Sequence, residues 1–237
     1  MITARRFLFL LLLALAMTRA YGQNEEGFSG RTAFGYLTTT GNSESTNMSG
    51  NFDLGWQYAP WHHNFKGTAV RASASDEDTA EAYSLDWQTN YDMSETTYAY
   101  GLVAWIDDKF SGYATQTREA IGYGRRFIAT ETHVLNGEVG AGYRQAELRT
   151  GESQDEAIFR LSGDYLWNIS ETSDFTQTLA VESGSDNMFF ESVTKISATI
   201  RGNFSVVLSY TIRNNSDVPK GTETRDTFTA LAVEYTF

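Results

Sequence analysis

Between Thr46 and Tyr58 the chain reads TNMSGNFDLGWQY, with Thr, Met, Gly, Phe, Leu, Trp and Tyr on the even positions and Asn, Ser, Asn, Asp, Gly and Gln on the odd ones. An extended strand turns successive side chains to opposite faces, so this segment presents an apolar, aromatic face on one side and amides, hydroxyls and a carboxylate on the other. One such ribbon suits a sheet of a secreted, soluble sandwich. It equally suits a membrane barrel with lipid outside and water inside.

The ribbon recurs. YSLDWQTNY alternates Tyr83, Leu85, Trp87, Thr89 and Tyr91 with Ser84, Asp86, Gln88 and Asn90. In AIFRLSGDYLW, Ala157, Phe159, Leu161, Gly163, Tyr165 and Trp167 share a face, with Arg160, Ser162 and Asp164 opposite and Ile158 and Leu166 as apolar interruptions. The closing TFTALAVEYTF places Thr229, Leu231, Val233, Tyr235 and Phe237 together. A terminal aromatic on an alternating last strand resembles the assembly signal of bacterial outer-membrane barrels. That resemblance implies Leu231, Val233, Tyr235 and Phe237 as the residues offered to the barrel assembly machinery.

Marking every ribbon gives about twelve strands, an even number as in single-chain bacterial barrels. Their starts fall near residues 28, 45, 63, 81, 97, 114, 132, 155, 174, 189, 203 and 225. Residues 1–20 read as a signal peptide, with Arg5 and Arg6, the apolar run FLFLLLLALAM and small residues before a cleavage site after Ala20 or Gly22. Residues 21–237 then form a single domain. Beyond the leader no apolar window is long enough for a spanning helix, so membrane embedding has to be by strands.

Composition agrees. The chain holds no Cys, which excludes disulfides and thiolate metal sites. Aromatics make up 14% against 41% hydrophobic residues in all, a balance suited to a wet-centred barrel. Of 18 Lys and Arg, removal of Arg5, Arg6 and Arg19 leaves 15 against 30 acidic residues, a net charge near −15, and nucleic acid is excluded as a partner.

Connections alternate in kind. Links reading APW, MSET, IATE, ISETS and RGN are short, whereas SASDEDTAE, DDKFSGYATQ, LRTGESQDE, ESGSDNM and NNSDVPKGTETRD are long and acidic, as expected of periplasmic turns and outer loops. Aromatics cluster at both strand ends. Tyr58, Trp61, Tyr91, Tyr98, Trp167, Phe175 and Phe204 lie near the turns, and Tyr36, Tyr83, Phe110, Tyr143 and Phe159 near the loops, as two interfacial girdles. A soluble sandwich gives no reason for alternating link lengths.

TGNSESTN, DDKFSGY, AGYRQAEL, ESGSDNMFFES and NSDVPKGTETRDT resemble the YdiY-like family of salt-induced outer-membrane proteins, along essentially the whole mature chain. The resemblance implies an outer-membrane β-barrel and a link to osmotic stress. The family is one of unknown function, so no site residues follow from it.

Three histidines, His62, His63 and His133, all fall near the predicted turn end, and no Ser is placed by sequence beside a His and an acid. An enzyme, for instance an outer-membrane hydrolase, is the weakest reading. The inward registers carry Asp53, Asp86, Glu138, Asp164, Glu182 and Glu234 together with Arg118, Arg144, Arg160, Lys195 and Arg213. These charges either line a small-solute channel or form a lattice of ion pairs that fills the interior. The register around Lys66 and Arg71 stays open. DEDTAE and ESQDE lack EF-hand spacing and read as solvated loop tips.

The expectation is an all-β, antiparallel transmembrane barrel of about twelve strands, without cofactor or metal, embedded among outer-membrane lipid and lipopolysaccharide. Its expected role is a passive small-solute or ion channel, or an envelope component linked to osmotic stress. The alternative is a plugged interaction barrel whose acidic loops bind a partner or lipopolysaccharide.

Overall fold

The computed structural model describes residues 27–39, 45–74, 77–109 and 111–237. The signal-peptide reading of residues 1–20 lies outside them. Twelve strands follow in chain order: β1 (Gly27–Thr39), β2 (Ser45–Tyr58), β3 (Trp61–Ala74), β4 (Glu77–Asp92), β5 (Thr97–Asp108), β6 (Tyr113–Ala129), β7 (His133–Leu148), β8 (Ser153–Ser170), β9 (Ser173–Ser183), β10 (Met188–Arg201), β11 (Phe204–Asn215) and β12 (Arg225–Thr236). Each pairs antiparallel with its chain neighbours, and β1 closes on β12. Closure leaves no free sheet edge, the condition for strands to cross lipid. Pro60 and Pro219 both fall in connections, where a missing N–H costs no ladder bond.

At the end of the barrel that holds Phe237, connections 59–60, 93–96, 130–132, 171–172 and 202–203 are two to four residues long. Gly202 takes a positive φ of 54° to turn one of them. The described connections at the other end run from four residues at 149–152 and 184–187 to nine at 216–224. Much of the acidic sequence expected as loop is strand instead. β3 runs to Ala74 and β4 starts at Glu77, so EDTAE continues the ladder, and β8 starts at Ser153 within SQDE. Past the lipid band both faces of a hairpin meet water, so a ladder continues there without any apolar alternation to announce it.

The two faces separate as the opening ribbon requires. Phe65, Trp87 and Val103 follow one another in register on β3, β4 and β5, and Ile196, Leu208 and Leu231 do so on β10, β11 and β12. All six are among the large exposed apolar side chains of the outer face. The interior face alternates with them.

β5 departs from the pattern, because its inward residues are also apolar: Tyr98, Tyr100, Leu102 and Ala104 are all buried. Tyr98 therefore belongs to the lumen and not to the interfacial girdle expected for it. Glycines on the neighbouring strands make the room. A Cβ on Gly124 would lie 2.2 Å from the Tyr98 ring, and one on Gly140 would lie 2.3 Å from the Tyr100 hydroxyl. With no side chains in the way, both rings lie close against the wall of β6 and β7.

Candidate functional site

The interior is organised by register. Arg31 stands opposite Asp53, Asp53 opposite Lys66, and Lys66 opposite Asp86. The same row continues through Ala104, Arg118 and Arg144 to Glu156. Facing side chains on adjacent strands lie about 4.5–5.5 Å apart at Cβ, so the alternating signs from Arg31 to Asp86 attract one another, whereas the like-charged neighbours Arg118 and Arg144 each turn to an acid. Strand tilt makes the row climb from the turn end at Arg31 to the loop end at Glu156. A second row descends through Asp226, Arg213, Glu191, Ala180, Ser162, Glu138, Gly124 and Tyr98.

Contacts across the lumen tie the rows together on one side of the barrel. Arg118 Nη1 donates to Glu182 Oε1 at 3.2 Å and lies 4.0 Å from Asp86, with its guanidinium over the Phe189 ring at 4.9 Å. Arg160 donates to Glu138 Oε2 at 2.9 Å and approaches Glu182 to 3.8 Å. Glu138 Oε1 accepts from Gln88 at 2.7 Å and from the Tyr98 hydroxyl at 3.1 Å. Arg144 pairs with Glu156 and donates to the Asn187 carbonyl. Arg213 Nε donates to Glu191 at 2.7 Å. Arg118, Arg144, Arg160, Glu156 and Glu182 are all buried. Charges taken out of water in this way have to be paired, and these are.

The opposite side is wetter. Arg31 and Lys66 are exposed, while Asp53, Lys195 and Glu234 are half-buried. Asp53 accepts from Asn64 at 2.6 Å and lies 3.8 Å from Arg31. Among the described residues Lys66, Lys195 and Glu234 make no ion pair, and Asp164 accepts only a hydrogen bond from Asn136, at 2.8 Å. Arg71, whose register the sequence leaves open, points outward and pairs with Asp78 at 2.9 Å. The inward member of that ambiguous strand is Lys66.

Several residues of the site escape a reading by sequence. Glu191 shares the parity of Lys195, and Arg31 lies on the opposite parity to the exposed Phe28, Phe34 and Tyr36, so period two alone could have named both. Glu156 was hidden by the loop assignment of ESQDE. The histidines are structural in their contacts. His62 Nε2 lies 2.6 Å from Asp92, which also accepts from Arg126 at 2.6 Å. His63 bonds Thr89 at 2.9 Å beside the Trp61 ring, and His133 bonds the Tyr165 hydroxyl at 2.8 Å.

Twelve antiparallel strands closed around a charged interior, under an apolar outer belt, define a β-barrel of the outer-membrane type. The family model described as "Protein of unknown function, DUF481" matches residues 32–237, and the chain belongs to that family. It is 26% identical over 209 residues to the uncharacterized protein YdiY of Escherichia coli strain K12, covering 88% of this chain and 82% of that one. Among solved structures it is similar to the NanC porin, with a TM-score of 0.50 at 8% identity over 89% of this chain and 99% of that one. It is also similar to the COG4313 outer membrane channel from Pseudomonas putida F1, with a TM-score of 0.53 at 9% identity over 92% and 100% of the two chains. Both likenesses show the fold.

Proposed function

We propose that the protein is an outer-membrane channel for small hydrophilic solutes or ions, whose water path follows the wall from Lys195 on β10 through β12 and β1 to β3. The observation that carries this reading is the asymmetry of the interior. One side is cross-braced by buried ion pairs, while the other presents exposed Arg31 and Lys66 and half-buried Asp53, Lys195 and Glu234. Charges that are unpaired, as Lys66, Lys195 and Glu234 are among the described residues, or only loosely paired in contact with water, as Arg31 and Asp53 are, can act on a passing solute. The three arginines Arg118, Arg144 and Arg160 brace the wall, so selectivity falls to Arg31, Lys66 and Lys195. The signal peptide delivers the chain, and Phe237 presents it for assembly among lipid and lipopolysaccharide. Service under osmotic stress rests on the family resemblance.

Liposome swelling tests the reading. Vesicles holding the refolded mature protein should swell in small sugars or amino acids well above protein-free vesicles. Equal swelling, with insertion shown, would favour the second reading, a braced interaction barrel, which the buried ion pairs also support.

A further inference from the structure

We propose that the β11–β12 connection, residues 216–224, is a strap that shuts the loop-end mouth by docking on the opposite wall, and that solutes pass when it lifts. The inference rests on the channel reading. In the closed strand order β12 stands directly across from β6, six strands away in either direction. Yet the strap reaches that far wall. The Tyr113 hydroxyl at the start of β6 donates to the Asp217 carbonyl at 3.0 Å. Val218 packs on the buried cluster of Tyr113, Ala146 and Leu148. A Cβ placed on Gly112 would lie 2.8 Å from Pro219 Cδ and 3.2 Å from Val218 Cβ, so the strap lies tight against the chain at this point.

The strap is rooted at a second point. Asn187, 1% exposed, donates to Asn215 Oδ1 at 2.8 Å, while its own side-chain oxygen accepts from Asp217 N at 3.2 Å and from Ser216 Oγ at 3.3 Å. The Asn187 carbonyl is held by Arg144, the buried partner of Glu156. The root, up to and including Asp217, is therefore fixed by hydrogen bonds to Asn187 and Tyr113, whereas the tip from Val218 onward meets the far wall through the apolar contacts of Val218 and Pro219. A firmly held root with a lightly held tip describes a flap. The tip also turns on itself, with Thr222 N donating to the Pro219 carbonyl at 3.1 Å and Gly221 at a φ of 91°, so it moves as a unit.

The separation of Gly112 and Val218 supplies the test. It is close to the Cβ–Cβ distance of about 3.5–4.5 Å that a disulfide spans, and the chain has no cysteine to compete. The doubly substituted Gly112→Cys/Val218→Cys protein, refolded as the mature chain, is recorded in planar bilayers oxidised and then after reduction in the same membrane. A second variant, Tyr113→Phe/Val218→Ser, loosens the strap's hold on the far wall without a cross-link. The expected result is loss of the high-conductance level in the oxidised protein, its return on reduction, and a several-fold greater open fraction in the loosened variant. Equal conductance of the oxidised and reduced forms, with the disulfide verified by mass, would overturn the strap and leave the channel standing. Silence of every form, the loosened variant included and with insertion verified, would remove the channel and the strap with it.

Discussion

Arg118 on β6 reaches past β7 and β8 to donate to Glu182 on β9 at 3.2 Å, and Arg160 approaches the same carboxylate to 3.8 Å. One buried acid thus neutralises two buried bases. Removing it leaves the buried Arg118 with the 4.0 Å approach of Asp86 and Arg160 with the carboxylate of Glu138, and breaking a buried pair from one side costs about 3–5 kcal/mol. Glu182→Gln should lower the urea midpoint of the refolded barrel more than Arg118→Gln, which leaves Glu182 its contact with Arg160. An unchanged midpoint would show that the network is not bracing the wall.

Selectivity should follow the wet wall. Lys66→Gln with Lys195→Gln removes two positive charges that have no ion-pair partner among the described residues, so reversal potentials in a salt gradient should move toward cation preference. Arg213→Gln, which removes a base paired with Glu191, should move them less. The reverse order would place the water path on the braced side.

The aromatic lining of β5 should tolerate no Cβ on the glycines it covers. Gly124→Ala sets a methyl 2.2 Å from the Tyr98 ring and should destabilise the barrel by about 1–3 kcal/mol, the usual cost of overpacking. Pairing it with Tyr98→Leu should recover part of the loss in the same denaturant titration, because the smaller side chain vacates the contact.

Glu119 points outward on β6, exposed, in a groove on the lipid face lined by Trp87, Val103, Ile121 and Tyr143. A carboxylate in the apolar belt is a liability. Glu119→Leu should therefore stabilise the protein in lipid by about 1–2 kcal/mol. A loss of stability would mean that the carboxylate has a partner in the membrane.

The seam between β1 and β12 is short, pairing Arg31–Phe34 with residues 233–236, and Phe237 extends it. Its N–H donates to the Gly30 carbonyl at 2.8 Å and its carbonyl accepts from Gly30 N at 2.9 Å. Its ring lies 6.0 Å from that of Phe28. Deleting Phe237 should slow folding into vesicles and leave the seam the first part of the barrel to exchange amide protons. Exchange spread evenly over the wall would contradict this.

Period two carried most of the fold, because lipid on one side and water on the other force it on every spanning strand, as from Thr46 to Tyr58. It fell silent where that contrast fades. TYAYGLVAWIDD is apolar on both faces, so nothing local tells that Tyr98 and Tyr100 turn inward; the cause is the glycines of β6 and β7 opposite them. EDTAE is polar on both faces and hid the start of β4 for the complementary reason. Inward charges such as Arg118 and Glu182 follow from parity, whereas their pairing over two intervening strands, and the reach of Val218 to Leu148, depend on closure of the ring and leave no trace in neighbouring residues.

The most direct test of the account is the single-channel conductance of the refolded mature protein in a planar bilayer, at low and at high salt. A water-filled path along Arg31 and Lys66 requires stepwise openings whose size follows the conductivity of the bath. A silent membrane containing demonstrably inserted protein, both as the full chain and with Tyr113→Phe/Val218→Ser, would contradict it.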